Sequence, residues 1–299
     1  MTDILKGKPV ADRITAEAAV KAAGLRDRGI IPTLAIIRLG EDPGDLSYEK
    51  GALKRAAEAG VEVRSLVFDR SISRPELEKV ITTLNEDDSV HGVLLFRPLP
   101  GHMDEKAVCE ALNPAKDVDG ITSGSMAGVF MDSGCGYPPC TAESCMEILE
   151  HYGYDLAGKK VTVMGRSLVI GKPVAMMAMK RNATVTVCHS RTRSEDFKAA
   201  GSNADIVIAA LGKARMIGAG ELGENQVIID VGINVDDEGR LCGDVDFDRQ
   251  RPDEGIGAHA AAVTPVPGGV GSVTTAVLMK HVIEAAQNSM AECDAEKRK

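Results

Sequence analysis

The chain reads as a two-domain α/β protein built on parallel sheets. Its β-rich runs alternate with helix-patterned segments along nearly the whole sequence, which a sheet with crossover helices requires. Its 299 residues are enough for two cores of ordinary size. The alternation lapses in the Gly-, Pro- and Cys-rich passage 134–141, where the domain change is expected.

Residues 31–39 (IPTLAIIRL), 61–68 (VEVRSLVF) and 90–96 (VHGVLLF) have strand composition, with helical patterns at 48–59 and 74–85 between them. Strand signals return at 160–164, 184–188, 206–211 and 227–231, again separated by helical segments. A last helix is expected from 272 to about 291 after a Gly-rich hinge, with the charged tail 292–299 frayed.

A formal net charge of −9 argues against general nucleic-acid binding, which needs a basic face to neutralise phosphates. No apolar run reaches membrane-spanning length, and the opening MTDILKGKPVADRI lacks the basic-then-apolar order of a secretory signal. A cytosolic location is therefore expected. Seven cysteines, odd in number and without a C-x-x-C pair, read as reduced thiols. Cys140 and Cys145 have no histidine nearby, so no metal site is expected. His91, His102, His151, His259 and His281 fall in no ligand or triad spacing.

The most informative stretch is VTVMGRSLVIGKP, 161–173. Gly165 permits a tight turn, Gly171 permits close backbone approach, and Pro173 suits the first turn of a helix whose N–H groups face an anion. Arg166 adds a cation. The spacing is not G-x-G-x-x-G, so this is a dinucleotide cradle of another form. About twenty residues on, the run 183–188 ends in His189, Ser190, Arg191, Thr192 and Arg193. A strand end in this position meets the adenosine ribose, where a free 2′-hydroxyl calls for a carboxylate and a 2′-phosphate calls for hydroxyl and guanidinium donors. Ser190, Arg191 and Arg193 favour NADP over NAD, and His189 could face the adenine or the 2′-phosphate. A solvated basic loop is the plain alternative.

Further strings make the chain similar to the methylenetetrahydrofolate dehydrogenase/cyclohydrolase family. They are Gly7-Lys8 with Ala11, Pro98-Leu99-Pro100, KDVDG at 116–120, Pro139-Cys140-Thr141, Gly165-Arg166-Ser167 with Gly171 and Pro173, and TPVPGGVG at 264–271. The resemblance implies NADP-linked oxidation of 5,10-methylenetetrahydrofolate to the methenyl form, in one-carbon metabolism that feeds purine synthesis, by a homodimer. It implies a folate-binding domain at 1–138 rejoined by the helix 272–299, a Rossmann-type NADP domain at 139–271, and a substrate cleft at their junction. By the same resemblance Asp119 binds the pteridine, Tyr48 stacks on the folate ring, Ser167 and Ile233 join the cofactor site, and Pro267, Gly268 and Gly269 approach the nicotinamide end. A carboxylate suits the pteridine because it accepts the paired donors of a 2-aminopyrimidine.

Two positions depart from the family. The lysine that serves the hydrolytic step, four residues after the tyrosine, is Ala52 here, and its glutamine partner is Phe96, followed by Arg97. At about 100° per residue, Ala52 lies within about 40° of Tyr48's direction, whereas Lys50 and Lys54 lie about 160° and 120° away. Paired loss of two coupled polar groups points to a dehydrogenase with weak or no cyclohydrolase activity. Water activation by Lys54, Lys50 or Arg97 is the rival reading, with Lys54 the catalytic candidate. A non-catalytic NADP sensor and an NADP dehydrogenase of another small substrate, of the shikimate type, stay open.

Overall fold

Strands buried on both faces need near-continuous apolar runs, and the parallel strands of this chain have them. Thr33–Leu39, Gly92–Leu95, Ile206–Ala209 and Val227–Asp230 are buried at every residue. The computed structural model describes residues 2–236, 238–248 and 255–296. The chain forms two compact units, one comprising Asp12–Cys140 with the segment from Thr275 onward, the other Thr141–Thr274 with the segment up to Ala11.

In the first unit three parallel strands lie in the order Glu62–Phe68, Thr33–Leu39, Gly92–Leu95. Ala35, Ile37, Leu39, Val93 and Leu95 join Leu77, Ile81 and Leu84 of helix Arg74–Glu86 in one core. Ser73 and Glu76 close that helix with a capping box. Arg38 and Ser65 bond to Glu49 of helix Pro43–Ala59, which buries Glu49, Ala52, Ala56 and Ala59. This helix starts five residues before the position expected from apolar periodicity. The Asp42 carboxylate accepts from Gly44 N at 2.8 Å and Pro43 occupies the first turn, a start signal that periodicity alone does not carry. Tyr48 therefore sits inside the helix. The last helix, Thr274–Glu296, extends into the tail that was expected to fray; 297–299 lie outside the described residues.

The second unit carries six parallel strands in the order Asp3–Ile4, Ala262–Val263, Val227–Asp230, Ile206–Ala209, Lys160–Met164, Thr184–Cys188. Strand Asp3–Ile4 is a departure, since the opening residues were expected with the first domain. Its pairing with Ala262–Val263 is continued by Leu5 N to Val263 O at 2.9 Å and Gly7 N to Gly268 O at 2.8 Å. Two-residue strands fall below what alternation can reveal, and so does the hairpin of Asn234–Val235 with Leu241–Cys242. The chain runs from Lys160–Met164 outward to Thr184–Cys188, then crosses back to Ile206–Ala209. The strand order reverses between the first and third of these, where open α/β sheets bind ligands at the carboxyl ends.

Candidate active site

The cradle occupies that switch point. Strand Lys160–Met164 ends in Gly165, whose φ of 140° is closed to ordinary L residues. A Cβ on Gly165 would run into Ala210 O, and one on Gly171 would run into Gly165 O, so the turn closes only with glycine at both positions. Helix Gly171–Lys180 starts directly afterwards. Ser167 Oγ accepts from Ile170 N at 3.1 Å and Gly171 N at 3.4 Å, and Pro173 is buried in the first turn. Ser167 is thus a cap of the helix start. Arg166 is exposed beside it.

At the end of the next strand Ser190 and Arg191 are exposed. His189 Nδ1 accepts from Arg191 N at 3.1 Å, and Thr192 Oγ1 accepts from His189 N at 2.9 Å. The imidazole therefore braces the basic turn, a local role that its position in sequence left open. Arg193 is held by Asp196 at 2.8 Å.

The same unit holds the other predicted cofactor and nicotinamide-end residues. Ile233 is 67% exposed, and its Cδ1 would lie 3.2 Å from a Cβ at Gly271. Pro267 and Gly268 are exposed and Gly269 is buried.

In the first unit, Tyr48 packs edge to face on Phe96, ring centroids 5.8 Å apart. Ala52 is fully buried. Arg38 Nε donates to Glu49 Oε2 at 2.7 Å, Ser65 Oγ donates to Glu49 Oε1 at 2.8 Å, and Arg38 also reaches Gly40 O. Phe96 N bonds Ile37 O at 3.0 Å, so Phe96 is in register with Arg38 across the sheet. A buried ion pair thus lies in the row of the family's glutamine position, next to Tyr48 in sequence. Sequence reasoning missed it; an arginine inside an apolar strand run was the available signal.

The three candidate replacements for the lysine have surroundings of their own. Lys54 is 81% exposed, with Nζ 4.0 Å from Glu58. Lys50 is exposed, and Arg97 is 3.7 Å from Glu105, whose other oxygen accepts from Leu99 N at 2.9 Å.

The KDVDG string divides its labour. Lys116 Nζ donates to Leu84 O and Asp87 O, both at 2.8 Å. Asp117, fully buried, accepts from Ile121 N at 2.9 Å, Thr122 N at 2.8 Å and Ser125 Oγ at 2.7 Å. Asp119 is the member not consumed by the turn. Burial raises its carboxyl above the usual range, opposed by a hydrogen bond from the Cys140 thiol and by the charge of Arg97. Cys140 in turn lies 3.7 Å from His281 Nδ1, and that nitrogen is 2.8 Å from Val118 O.

Comparison with known proteins adds to this geometry. The sequence model of the tetrahydrofolate dehydrogenase/cyclohydrolase catalytic domain matches residues 5–119, and that of the family's NAD(P)-binding domain matches 139–290. The chain is 45% identical to the bifunctional protein FolD of Clostridioides difficile (strain 630), over 95% of this chain and 96% of that one. The crystal structure of the bifunctional FolD of Campylobacter jejuni superposes with a TM-score of 0.90 at 34% identity, covering 96% and 99% of the two chains. The Trypanosoma brucei enzyme complexed with NADP and an inhibitor gives 0.87 at 32% identity, covering 97% and 98%.

Proposed function

The chain belongs to the tetrahydrofolate dehydrogenase/cyclohydrolase family, and from that premise we propose that it oxidises 5,10-methylenetetrahydrofolate with NADP and hydrolyses the methenyl product weakly or not at all. The observation that carries the redox half is the glycine-closed turn Gly165–Gly171 beside the exposed Ser190 and Arg191. The residues present fit the cofactor. The turn leads directly into a helix start, where N–H groups suit a phosphate, and a hydroxyl with a guanidinium suits a 2′-phosphate. When bound, NADP supplies a nicotinamide ring to take hydride from the methylene carbon.

The chain's own groups do the positioning. Arg166 and Ser167 would hold the cofactor's phosphate end, and Ile233, Pro267, Gly268 and Gly269 would line the nicotinamide side. Asp119 accepts the pteridine's paired donors, and such contact favours the ionised carboxylate against the burial that opposes it. Tyr48 offers a ring face to the folate, its orientation fixed by the edge contact with Phe96. As hydride leaves, positive charge grows on the carbon, and orientation serves this step better than a strong base.

Hydrolysis needs a group that takes a proton from water. Buried Ala52 and the Phe96 ring supply none at the family's positions. Lys54, committed to an exposed face, is a weak candidate for that role. A cytoplasmic homodimer serving one-carbon transfer for purine synthesis completes the reading; sedimentation of the pure protein tests the dimer. Following NADPH formation together with methenyl absorbance tests the chemistry. Both signals should rise in step and the methenyl signal should persist; methenyl loss above the buffer rate would overturn the monofunctional part.

A further inference from the structure

Two carboxylates in the second unit, Asp230 and Asp244, are buried and hydrogen-bonded through both oxygens. Asp244 Oδ2 accepts from Leu211 N at 2.5 Å and Gly212 N at 3.0 Å, and Oδ1 accepts from Lys213 N at 2.8 Å and Asn234 Nδ2 at 2.9 Å. Asp230 Oδ1 accepts from Gly232 N at 3.1 Å and Asp244 N at 3.0 Å, and its Oδ2 accepts from Val245 N at 3.0 Å. The pair is nested closely enough that a Cβ on Gly232 would strike Asp244 Oδ1 and one on Gly243 would strike the Asp230 carboxylate.

Three successive N–H groups converging on one carboxylate form an anion nest, here filled from within the chain. Its position gives it a purpose. Loop 210–213 follows strand Ile206–Ala209 at the switch point and touches the cradle: Ala210 N donates to Met164 O at 2.8 Å, and Ala210 O is the atom that forbids a side chain at Gly165. Asn234 follows Ile233 and opens the short strand Asn234–Val235, beyond strand Val227–Asp230. The single Asp244 carboxylate therefore ties the loop against the cradle to the loop that carries Ile233. Asp230 fixes the backbone of Asp244 itself, and its own N–H is held by Thr264 Oγ1 at 2.7 Å, at the start of the segment leading to Pro267.

We propose that Asp244 is a positioning residue for the cofactor, clamping segments 210–213 and 232–234 in the spacing that NADP needs, with Asn234 as the releasable half of the clamp. This rests on the NADP reading above. Asn234→Ala removes one donor and leaves the carboxylate and its three backbone partners in place. Asn234→Asp sets a second carboxylate against Asp244, and Asp244→Asn turns an N–H toward N–H groups.

The test measures NADP affinity by fluorescence titration, KM and kcat for both substrates, and the thermal midpoint of each variant. Asn234→Ala should weaken NADP binding and raise its KM about tenfold, the worth of one hydrogen bond to a charged group. The folate KM should stay at the wild-type value, and Asn234→Asp should be weaker still. A merely structural role would lower the midpoint and leave both KM values alone, and that result overturns the proposal. If Asp244→Asn does not fold, the two Asn234 variants decide. Wild-type protein that binds no NADP overturns this inference and the function together; wild type that binds, with Asn234 variants binding equally, overturns the clamp alone.

Discussion

Tyr48 and Phe96 meet edge to face, with ring centroids 5.8 Å apart and planes at 86°, and Ala52 lies fully buried one turn further along the helix of Tyr48. An apolar contact thus stands where the family keeps a lysine and its amide partner. Replacing both together, Ala52→Lys with Phe96→Gln, should bring methenyl hydrolysis up roughly a hundredfold over the wild-type rate, the low end of what a placed proton acceptor contributes. Ala52→Lys alone should lose stability, because an ammonium would be buried beside an aromatic ring with no partner. Methenyl absorbance in a stopped reaction measures the first and urea unfolding the second. Efficient hydrolysis by the unaltered protein would sink the argument.

The Arg38–Glu49 pair has side chains only 10% and 9% exposed. Removing one partner leaves the other charge buried and unmatched, so Glu49→Ala should cost about 3 kcal/mol. Substituting both, Arg38→Met with Glu49→Leu, should cost much less than the sum of the single changes. A double-mutant cycle by urea denaturation reads this directly. Additive losses would mean that the pair is not coupled as the 2.7 Å contact implies.

Cofactor choice separates two neighbouring arginines. Arg191 is exposed, while Arg193 is held by Asp196 at 2.8 Å. Arg191→Ala should raise the KM for NADP about tenfold and leave that for NAD unchanged, consistent with loss of one charge-assisted contact. Arg193→Ala should have the smaller effect. Equal effects on NADP and NAD would show that Arg191 does not meet a 2′-phosphate.

Much of this was legible in the sequence because long, periodic or glycine-marked features have local causes. The cofactor strands 160–164 and 184–188 appear where their β-branched runs place them, and Gly165 and Gly171 are explained by backbone clashes that any side chain would cause. The opening strand Asp3–Ile4 was not legible, since two residues carry no periodicity and gain their place only by pairing with a strand some 260 residues away along the chain. Nor were Arg38 and Glu49, or Asp230 and Asp244, recognisable as partners. Their meaning lies in which atoms tertiary packing brings within 3 Å, and spacing along the chain does not encode that.

Asp230 carries the sharpest pH prediction. Burial pushes its carboxyl up to about 7, with the charge of Asp244 pushing the same way and the three backbone N–H contacts opposing. In the unfolded chain the same group titrates near the ordinary value of 3.8. Between those values the folded protein holds a proton that the unfolded chain has released, so stability falls as pH rises. The contribution is complete below about pH 4, declines by up to about 1.4 kcal/mol per pH unit, and is gone above about pH 7. Asp230→Asn cannot titrate and should flatten that part of the profile, whatever its absolute stability. Urea midpoints for both proteins at half-unit steps from pH 5 to 8 give the comparison. Parallel profiles would mean that Asp230 stays ionised through this range, its three N–H donors outweighing the cost of burial.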